Sequence, residues 1–198
     1  MSVSTTDKGL LTPDNCTVIF IDFQPEMLPE DSSLNENSPA GLLARTTALF
    51  SLPVIITVAG GGAAAPWLSS LFPETQVVHR AGINAWDCPK FQRELRQSGR
   101  RNLVMASPFA EVSLALPALQ ALTDGYGVYV VEDASSGRSK RAQRAAFRRM
   151  EQAGAVSLTA VPFLLELQRD WFDGPHRDAV RSLLADQGVR VPSPGSAS

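Results

Sequence analysis

Three stretches of the sequence carry side chains that could do acid–base or nucleophilic chemistry, and each follows a short apolar run. Asp22 follows the run TVIFI, His79 and Arg80 follow a valine pair, and Ser113 stands shortly after the run NLVMA. A carboxylate at the end of a buried strand is costly unless it is paired. Asp22 is therefore a candidate general acid or base, with Arg80 as the cation that holds its charge, although capping of a following turn explains Asp22 equally well.

Ser113 is the candidate whose chemistry is least defined by its position. It lies in the predicted first turn of an apolar helix, where free backbone N–H groups can bind an anion or a developing oxyanion. A serine at such a place is also commonly structural. A nucleophilic serine needs a dedicated base, and nothing in the sequence places His79 or His176 beside Ser113.

The apolar runs that precede these residues predict buried strands, because they are short, continuous and rich in β-branched residues. The predicted strands cover residues 17–21, 53–58, 77–78, 102–106, 128–131 and 155–158. Helix-like segments separate them, at residues 40–49, 87–97, 111–123, 139–152 and 161–171. This alternation predicts an α/β fold with three α/β/α layers and a mostly parallel, doubly wound, Rossmann-like sheet. Ligands of such sheets bind beyond the carboxyl ends of the strands, where all three stretches lie.

Composition and charge exclude several classes of protein. The formal net charge of -2 gives no reason to expect nucleic acid, and the arginines of residues 138–149 recur at helical spacing, which is typical of a solvated or subunit-facing helix. Residues 46–73 carry no charge, but prolines and glycines interrupt them, so no membrane span is predicted. No secretory signal is apparent, and two cysteines fit a reducing cytoplasm. We expect one domain over residues 11–190, with flexible tails at 1–10 and 191–198, and neither a metal nor a cofactor.

Several segments together resemble one family. TPDNCTVIFIDFQ resembles the opening of the isochorismatase-like cysteine-hydrolase superfamily, where a strand delivers an aspartate. GINAWDCPKF resembles the NAW-D segment of one branch. RNLVMASPFAEVSLALPALQALTDGYGVYVVEDASS resembles that branch's strand, loop and helix, which contain T-E-V-C and ALPAL, and MEQAGA and LELQRDW match its later segments. The similarity extends from about Leu11 to Trp171.

The resemblance implies a site built on an Asp–Lys–Cys triad, in which a thiolate attacks a carbonyl or nitrile carbon. Asp22 matches the aspartate, Ser113 takes the cysteine position, and the lysine position falls at Arg80 or His79. The family's non-proline cis peptide would join Phe109 to Ala110, and the amides of Ala110 and Ser113 would line an oxyanion site. The substrate-binding positions implied in this way are Gln24, His79, Asn84, Trp86, Phe109 and Ala110.

Two functional hypotheses follow from the changed triad. The first is an isochorismatase-like enzyme that acts on a small organic molecule, most simply a hydrolase that uses Asp22 for acid–base chemistry without a cysteine nucleophile. Isochorismatases that lack the cysteine and protonate a vinyl ether with the aspartate are a precedent. The alternative is an inactive family member that serves as a binding or scaffold protein, or a repurposed enzyme of elimination or cyclisation. The resemblance also implies a homo-oligomer.

Overall fold

The structure is a computed structural model that describes residues 9–28 and 34–192. The predicted N-terminal tail, apart from its last two residues, and most of the predicted C-terminal tail therefore lie outside the described residues. Among the described residues no helix is both long enough and apolar enough to cross a membrane. Both cysteines are free thiols. Burial raises the pKa of the Cys16 thiol to about 12, so this cysteine packs as a small apolar side chain.

In the part of the chain that the structure describes, six strands form one parallel sheet, which confirms the predicted fold class. The strands are β1 (Cys16–Ile21), β2 (Val54–Ala59), β3 (Val78–Arg80), β4 (Asn102–Ala106), β5 (Gly127–Val131) and β6 (Val156–Leu158). Their order is β3-β2-β1-β4-β5-β6, and every neighbouring pair is parallel. Each strand predicted from an apolar run is present, with ends shifted by at most two residues.

Within the described residues, seven α-helices connect and cover the strands. They are α1 (Pro39–Leu49), α2 (Pro66–Leu71), α3 (Pro89–Ser98), α4 (Ala115–Thr123), α5 (Lys140–Gln152), α6 (Ala160–Gln168) and α7 (Arg177–Asp186). The sequence predicted neither α2, which has six residues and one buried side chain, nor α7. The helix expected from residue 111 starts instead with a π-helical turn, Ala110–Leu114, and the one expected from 87 is preceded by a 3-10 turn, Ala85–Asp87.

The sheet separates two hydrophobic cores, which explains why its central strands read as continuous apolar runs. Val18 and Phe20 of β1 face the core that is completed by α1, α2, α6 and α7. Ile19 and Ile21 face the core that is completed by α3, α4 and α5. Successive side chains of a strand point to opposite faces, so a strand covered on both sides must be apolar at every position.

Candidate active site

The parallel sheet places the three candidate stretches on the same side, beyond the carboxyl ends of its strands. β1 and β4 are neighbours in the centre, and the chain proceeds outward from them in opposite directions, to β2 and β3 on one side and to β5 and β6 on the other. The crevice beyond the carboxyl ends at such a switch point is the usual ligand site of an open α/β sheet. Asp22 directly follows β1, Arg80 ends β3, and Ser113 lies in the π-helical turn after β4.

Asp22 turns the chain sharply as it leaves β1. Its φ is 60°, in the left-handed region that non-glycine residues rarely adopt, although aspartate tolerates it better than most. The turn is held on both sides: the Asp22 N–H donates to the Thr57 carbonyl at 2.8 Å, and the Gln24 N–H donates to the Asp22 carbonyl at 2.9 Å. Non-glycine residues held in this conformation cluster at functional sites.

Arg80 reaches Asp22 from two strands away in the sheet. Its Nη2 donates to both Asp22 oxygens at 2.5 Å, and both side chains are only 2% exposed. Its Nη1 donates to the carbonyls of Gly82 at 2.5 Å and Ile83 at 2.9 Å. The guanidinium thus joins the carboxylate to the loop that leaves β3, and the pair carries no net charge.

His79, the other candidate for the lysine position, points the opposite way. In β3 the side chain of Arg80 is buried and that of His79 is exposed, as the alternation of a strand requires. The His79 Nδ1 lies 3.3 Å from the Gly60 carbonyl oxygen. Of these two neighbours, the structure therefore brings Arg80 to Asp22 and leaves His79 at the surface.

Ser113 completes the hydrogen bonding around Asp22. Its Oγ donates to Asp22 Oδ2 at 2.5 Å, and the serine is 1% exposed. The π-helical turn is closed by the Ala115 N–H, which donates to the Ala110 carbonyl. Pro117 has no N–H for the Ser113 carbonyl four residues earlier, and its ring disfavours a regular α-helical turn there. Such π-turns inside helices occur frequently at functional sites.

The expected oxyanion site is not formed by backbone amides in this structure. The Ala110 N–H donates to the Ser136 carbonyl at 2.8 Å, and the Ser113 N–H donates to the Phe109 carbonyl at 2.9 Å. The cis peptide expected between Phe109 and Ala110 is also wrong, because no peptide bond is cis in the part of the chain described here. A trans bond is several kcal/mol more favourable for a non-proline residue, about 3–4 in peptides. The Ala110 amide joins the turn to the segment after β5, and the Ser113 amide is used within the turn itself.

Gln24, Asn84 and Trp86 have partners that hold loops together. Gln24 is 2% exposed, and its side-chain amide accepts from the Ala59 N–H at 2.7 Å and donates to the Ala59 carbonyl at 3.3 Å. Asn84 Oδ1 accepts from the Trp86 N–H at 3.1 Å, and Asn84 Nδ2 donates to Gln120 Oε1. These contacts fix the Gln24 and Asn84 side chains, and substrate binding by the three residues stays a prediction.

Trp86 lies toward the other end of the sheet. Its Nε1 donates to Asp124 Oδ2 at 2.8 Å, and its ring packs edge-on against Tyr126. Asp124 follows the end of α4, where the chain returns to start β5, so this contact is at the edge opposite Asp22. Phe109 is half-buried at the start of the π-helical turn, and its N–H donates to Ser107 Oγ at 3.2 Å.

The sequence analysis did not single out a second aspartate at this end of the sheet, the half-buried Asp133, although it stands in a segment that resembles the family. Asp133 follows β5, and its Oδ1 accepts from the N–H of Ala160 at the start of α6, at 3.0 Å. Burial raises its pKa above the usual 3.8, while backbone hydrogen bonds act in the opposite direction. The residues described include no group of three or more His, Cys, Asp and Glu side chains placed to hold a metal ion.

The fold and this site define a class of α/β proteins with a buried acid at the switch point of a parallel sheet, and sequence comparison specifies which family of that class. The family described as "Isochorismatase domain" matches residues 16–161, and the chain belongs to that family. It is 34% identical over 172 residues to the "Probable hydrolase YcaC" of Escherichia coli (strain K12), covering 81% of each protein.

Two solved structures of YcaC proteins superpose on most of the chain. The 1.8 Å crystal structure of the Escherichia coli protein, described as an octameric hydrolase of unknown specificity, matches with a TM-score of 0.82 and 30% identity over 90% of each chain. The Pseudomonas aeruginosa protein, solved with hexane-2,5-diol and covalent acrylamide, matches with a TM-score of 0.82 and 30% identity over 93% of each chain.

Proposed function

We propose that this chain is a hydrolase of small organic molecules in which Asp22 carries the acid–base chemistry. The observation that supports this most strongly is the convergence of Arg80 and Ser113, from two other parts of the sheet, on the Asp22 carboxylate. Membership of the isochorismatase family and similarity to probable hydrolases agree with the reaction class. In this proposal Arg80 takes the family's lysine position and Ser113 takes its cysteine position.

The hydrogen bonds of Asp22 leave room for one more donor. An ionised carboxylate has about four lone-pair positions. Arg80 uses one position on each oxygen, and Ser113 uses a second on Oδ2. The remaining position can accept a hydrogen bond from a water molecule. In the proposed reaction this water attacks an electrophilic carbon, such as a carbonyl carbon, its proton moves to Asp22, and Asp22 returns that proton to the leaving group.

Ser113 acts in this proposal as a hydrogen-bond donor and not as a nucleophile. The Ser113 hydroxyl donates its hydrogen bond to Asp22, at an Oγ–Oδ2 distance of 2.5 Å. Ser113 therefore fixes the orientation of the carboxylate and leaves the attack to water.

We further propose that the chain assembles with copies of itself. The similar Escherichia coli protein is octameric. Ile83 lies in the loop after Arg80, and Val112 directly precedes Ser113. These two side chains expose 66% and 38% of their surfaces, respectively. Large apolar side chains exposed beside a buried site are suited to coverage by another subunit. Sedimentation of the purified protein tests this, since a monomer at micromolar concentration would contradict it.

The central test is turnover by the wild-type protein and two isosteric variants, measured on a panel of uncharged esters and carboxamides. We expect Asp22→Asn to lower turnover by about 100-fold or more, because the asparagine cannot accept the proton. Asp133→Asn is the matched control at the same edge of the sheet and should retain wild-type turnover. Full activity in Asp22→Asn would contradict the proposal.

Two variants of Ser113 test its role. If Ser113 only donates a hydrogen bond to a charged group, Ser113→Ala should lose about 10- to 150-fold in turnover, without an acyl-enzyme adduct in either protein. Ser113→Cys should gain a covalent acrylamide adduct at residue 113, detected by peptide mass mapping, which the wild-type serine does not form. A substrate-derived adduct on wild-type Ser113 would show that the serine is a nucleophile.

A further inference from the structure

The hydrogen-bond donors of Arg80 are almost all in use, and the exception faces no protein acceptor. A guanidinium has three nitrogens that donate hydrogen bonds. Nη2 donates to both Asp22 oxygens, and Nη1 donates to the carbonyls of Gly82 and Ile83. The third nitrogen, Nε, carries one N–H, which is buried and has no hydrogen-bond partner among the described residues. Buried donors are nearly always satisfied, so this N–H calls for an acceptor that comes from outside the protein.

The amides predicted to form the oxyanion site, and the side-chain donors of Ser113 and Gln24, are already occupied. The amides of Ala110 and Ser113 donate to backbone carbonyls, and the Ser113 hydroxyl donates to Asp22 itself. The Gln24 amide is divided between Glu26 and Ala59. Several buried polar atoms elsewhere in the described chain also lack partners, but Arg80 Nε is the one whose residue is bonded to the candidate catalytic carboxylate.

The charges of the site restrict the acceptor that can bind there. The guanidinium and the Asp22 carboxylate neutralise each other, and both are 2% exposed. A carboxylate ligand would bring a second, uncompensated negative charge to this neutral pair, and the single Nε–H could not bind it in the bidentate way that is strongest. A single neutral oxygen, as in a carboxamide or an ester, requires one donor and no additional cation.

We propose that the Arg80 Nε–H binds the carbonyl oxygen of an uncharged substrate and stabilises the negative charge that develops on this oxygen. The inference deepens the proposed function and rests on it. The carbonyl carbon is then held beside Asp22, where the attacking water loses its proton. Arg80 thereby takes over the role that the sequence assigned to the amides of Ala110 and Ser113, and the site selects neutral substrates over carboxylates.

Nuclear magnetic resonance of the arginine side chains tests this directly. In protein labelled with ¹⁵N-arginine, the Nε–H signal of Arg80 is identified by its absence in Arg80→Lys and, if that variant does not fold, by through-bond correlation to the Arg80 backbone. Acetamide and acetate are the two probes, because they have the same shape and differ in charge. Arg177, whose Nε donates to Asp178 at the surface, provides the control signal.

We expect acetamide to shift the Arg80 Nε–H signal saturably, acetate to bind at least about tenfold more weakly, and neither probe to move the Arg177 signal. No shift with acetamide, or an equal shift with acetate, would overturn the inference. The outcome is independent of turnover: binding of acetamide without hydrolysis of any ester or amide would contradict the proposed function alone. Turnover without a shift would contradict the role of Arg80 Nε alone.

Discussion

Asp22 and Asp133 follow two strands of the same sheet, yet their carboxylates are held in different ways. Asp22 is 1% exposed and is bound by a guanidinium and a hydroxyl that come from β3 and from the turn after β4. Asp133 is half-buried and accepts from the backbone N–H of Ala160 at the start of α6. Burial raises the pKa of Asp133, and no side-chain cation is among the groups that shift it.

We propose that this difference separates a functional carboxylate, Asp22, from a structural one, Asp133. Backbone N–H groups at the start of a helix are available in any fold, so the contact of Asp133 is explained by fastening α6 to the sheet. Side chains that meet at one carboxylate from distant parts of the sequence need a more specific arrangement. Arg80 is 58 residues from Asp22 and Ser113 is 91 residues from it, and the sheet order is what brings them together.

The largest effect on stability is expected for Asp22→Asn. Loss of the negative charge leaves Arg80 buried and uncompensated, which costs about 3–5 kcal/mol in the free energy of unfolding. Urea denaturation of the wild type and the variant measures this. Asp133→Asn is the control, since asparagine still accepts from the Ala160 N–H. Equal losses in the two variants would remove the distinction between the two aspartates.

A smaller effect is expected for Ser113→Ala. The variant loses one hydrogen bond to a charged group, worth about 1.5–3 kcal/mol, while the Arg80–Asp22 pair remains. Ser107 provides a comparison, because its hydroxyl accepts from the neutral N–H of Phe109 at 3.2 Å, and Ser107→Ala should cost about 1 kcal/mol. A loss in Ser113→Ala no greater than in Ser107→Ala would show that the bond to Asp22 adds little.

The smallest effect is expected for Asp133, and it depends on pH. Since burial raises its pKa in the folded protein, the folded state binds the Asp133 proton more tightly than the unfolded chain does. The stabilisation that this proton contributes is fully present below the ordinary pKa of 3.8. It is lost as pH rises through the higher pKa of Asp133 in the folded protein. Asp133→Asn removes that dependence.

Unfolding measured at a series of pH values from 3 upward, roughly one unit apart, checks the direction. The stability of wild type relative to Asp133→Asn should fall as pH rises through this window and then stay constant. A relative stability of wild type that rises with pH would mean that the folded protein favours the ionised form of Asp133, as a paired carboxylate would.

The sequence predicted the part of the site that depends on strand ends and left open the part that depends on side-chain direction. Asp22 was identified because an apolar run ends at it. Arg80 and His79 could not be separated, since β3 has three residues and a valine pair does not show which neighbour faces inward. The Ala110 amide is engaged by the Ser136 carbonyl, a contact between distant residues that no local pattern reports.

The helices, too, were predicted where the sequence signal is local and missed where it depends on tertiary packing. Long helices with an apolar face were predicted to within a few residues, whereas α7, whose buried side chains include Val180 and Leu184, was missed. Half of its ten residues are polar, and its place is determined by packing on α6 and on the core beside it. The π-helical turn before α4 was also unforeseen, because the widening at Ala110–Leu114 follows from tertiary contacts as well as from Pro117.

A double-mutant cycle on Asp22 and Arg80 tests most directly whether these two residues form one buried electrostatic unit on which the site depends. The free energy of unfolding is measured for wild type, Asp22→Asn, Arg80→Met and the double variant. Each single change should be strongly destabilising, and the double variant should be more stable than the sum of the two losses by at least about 2 kcal/mol. Losses that add to within about 0.5 kcal/mol would contradict the account.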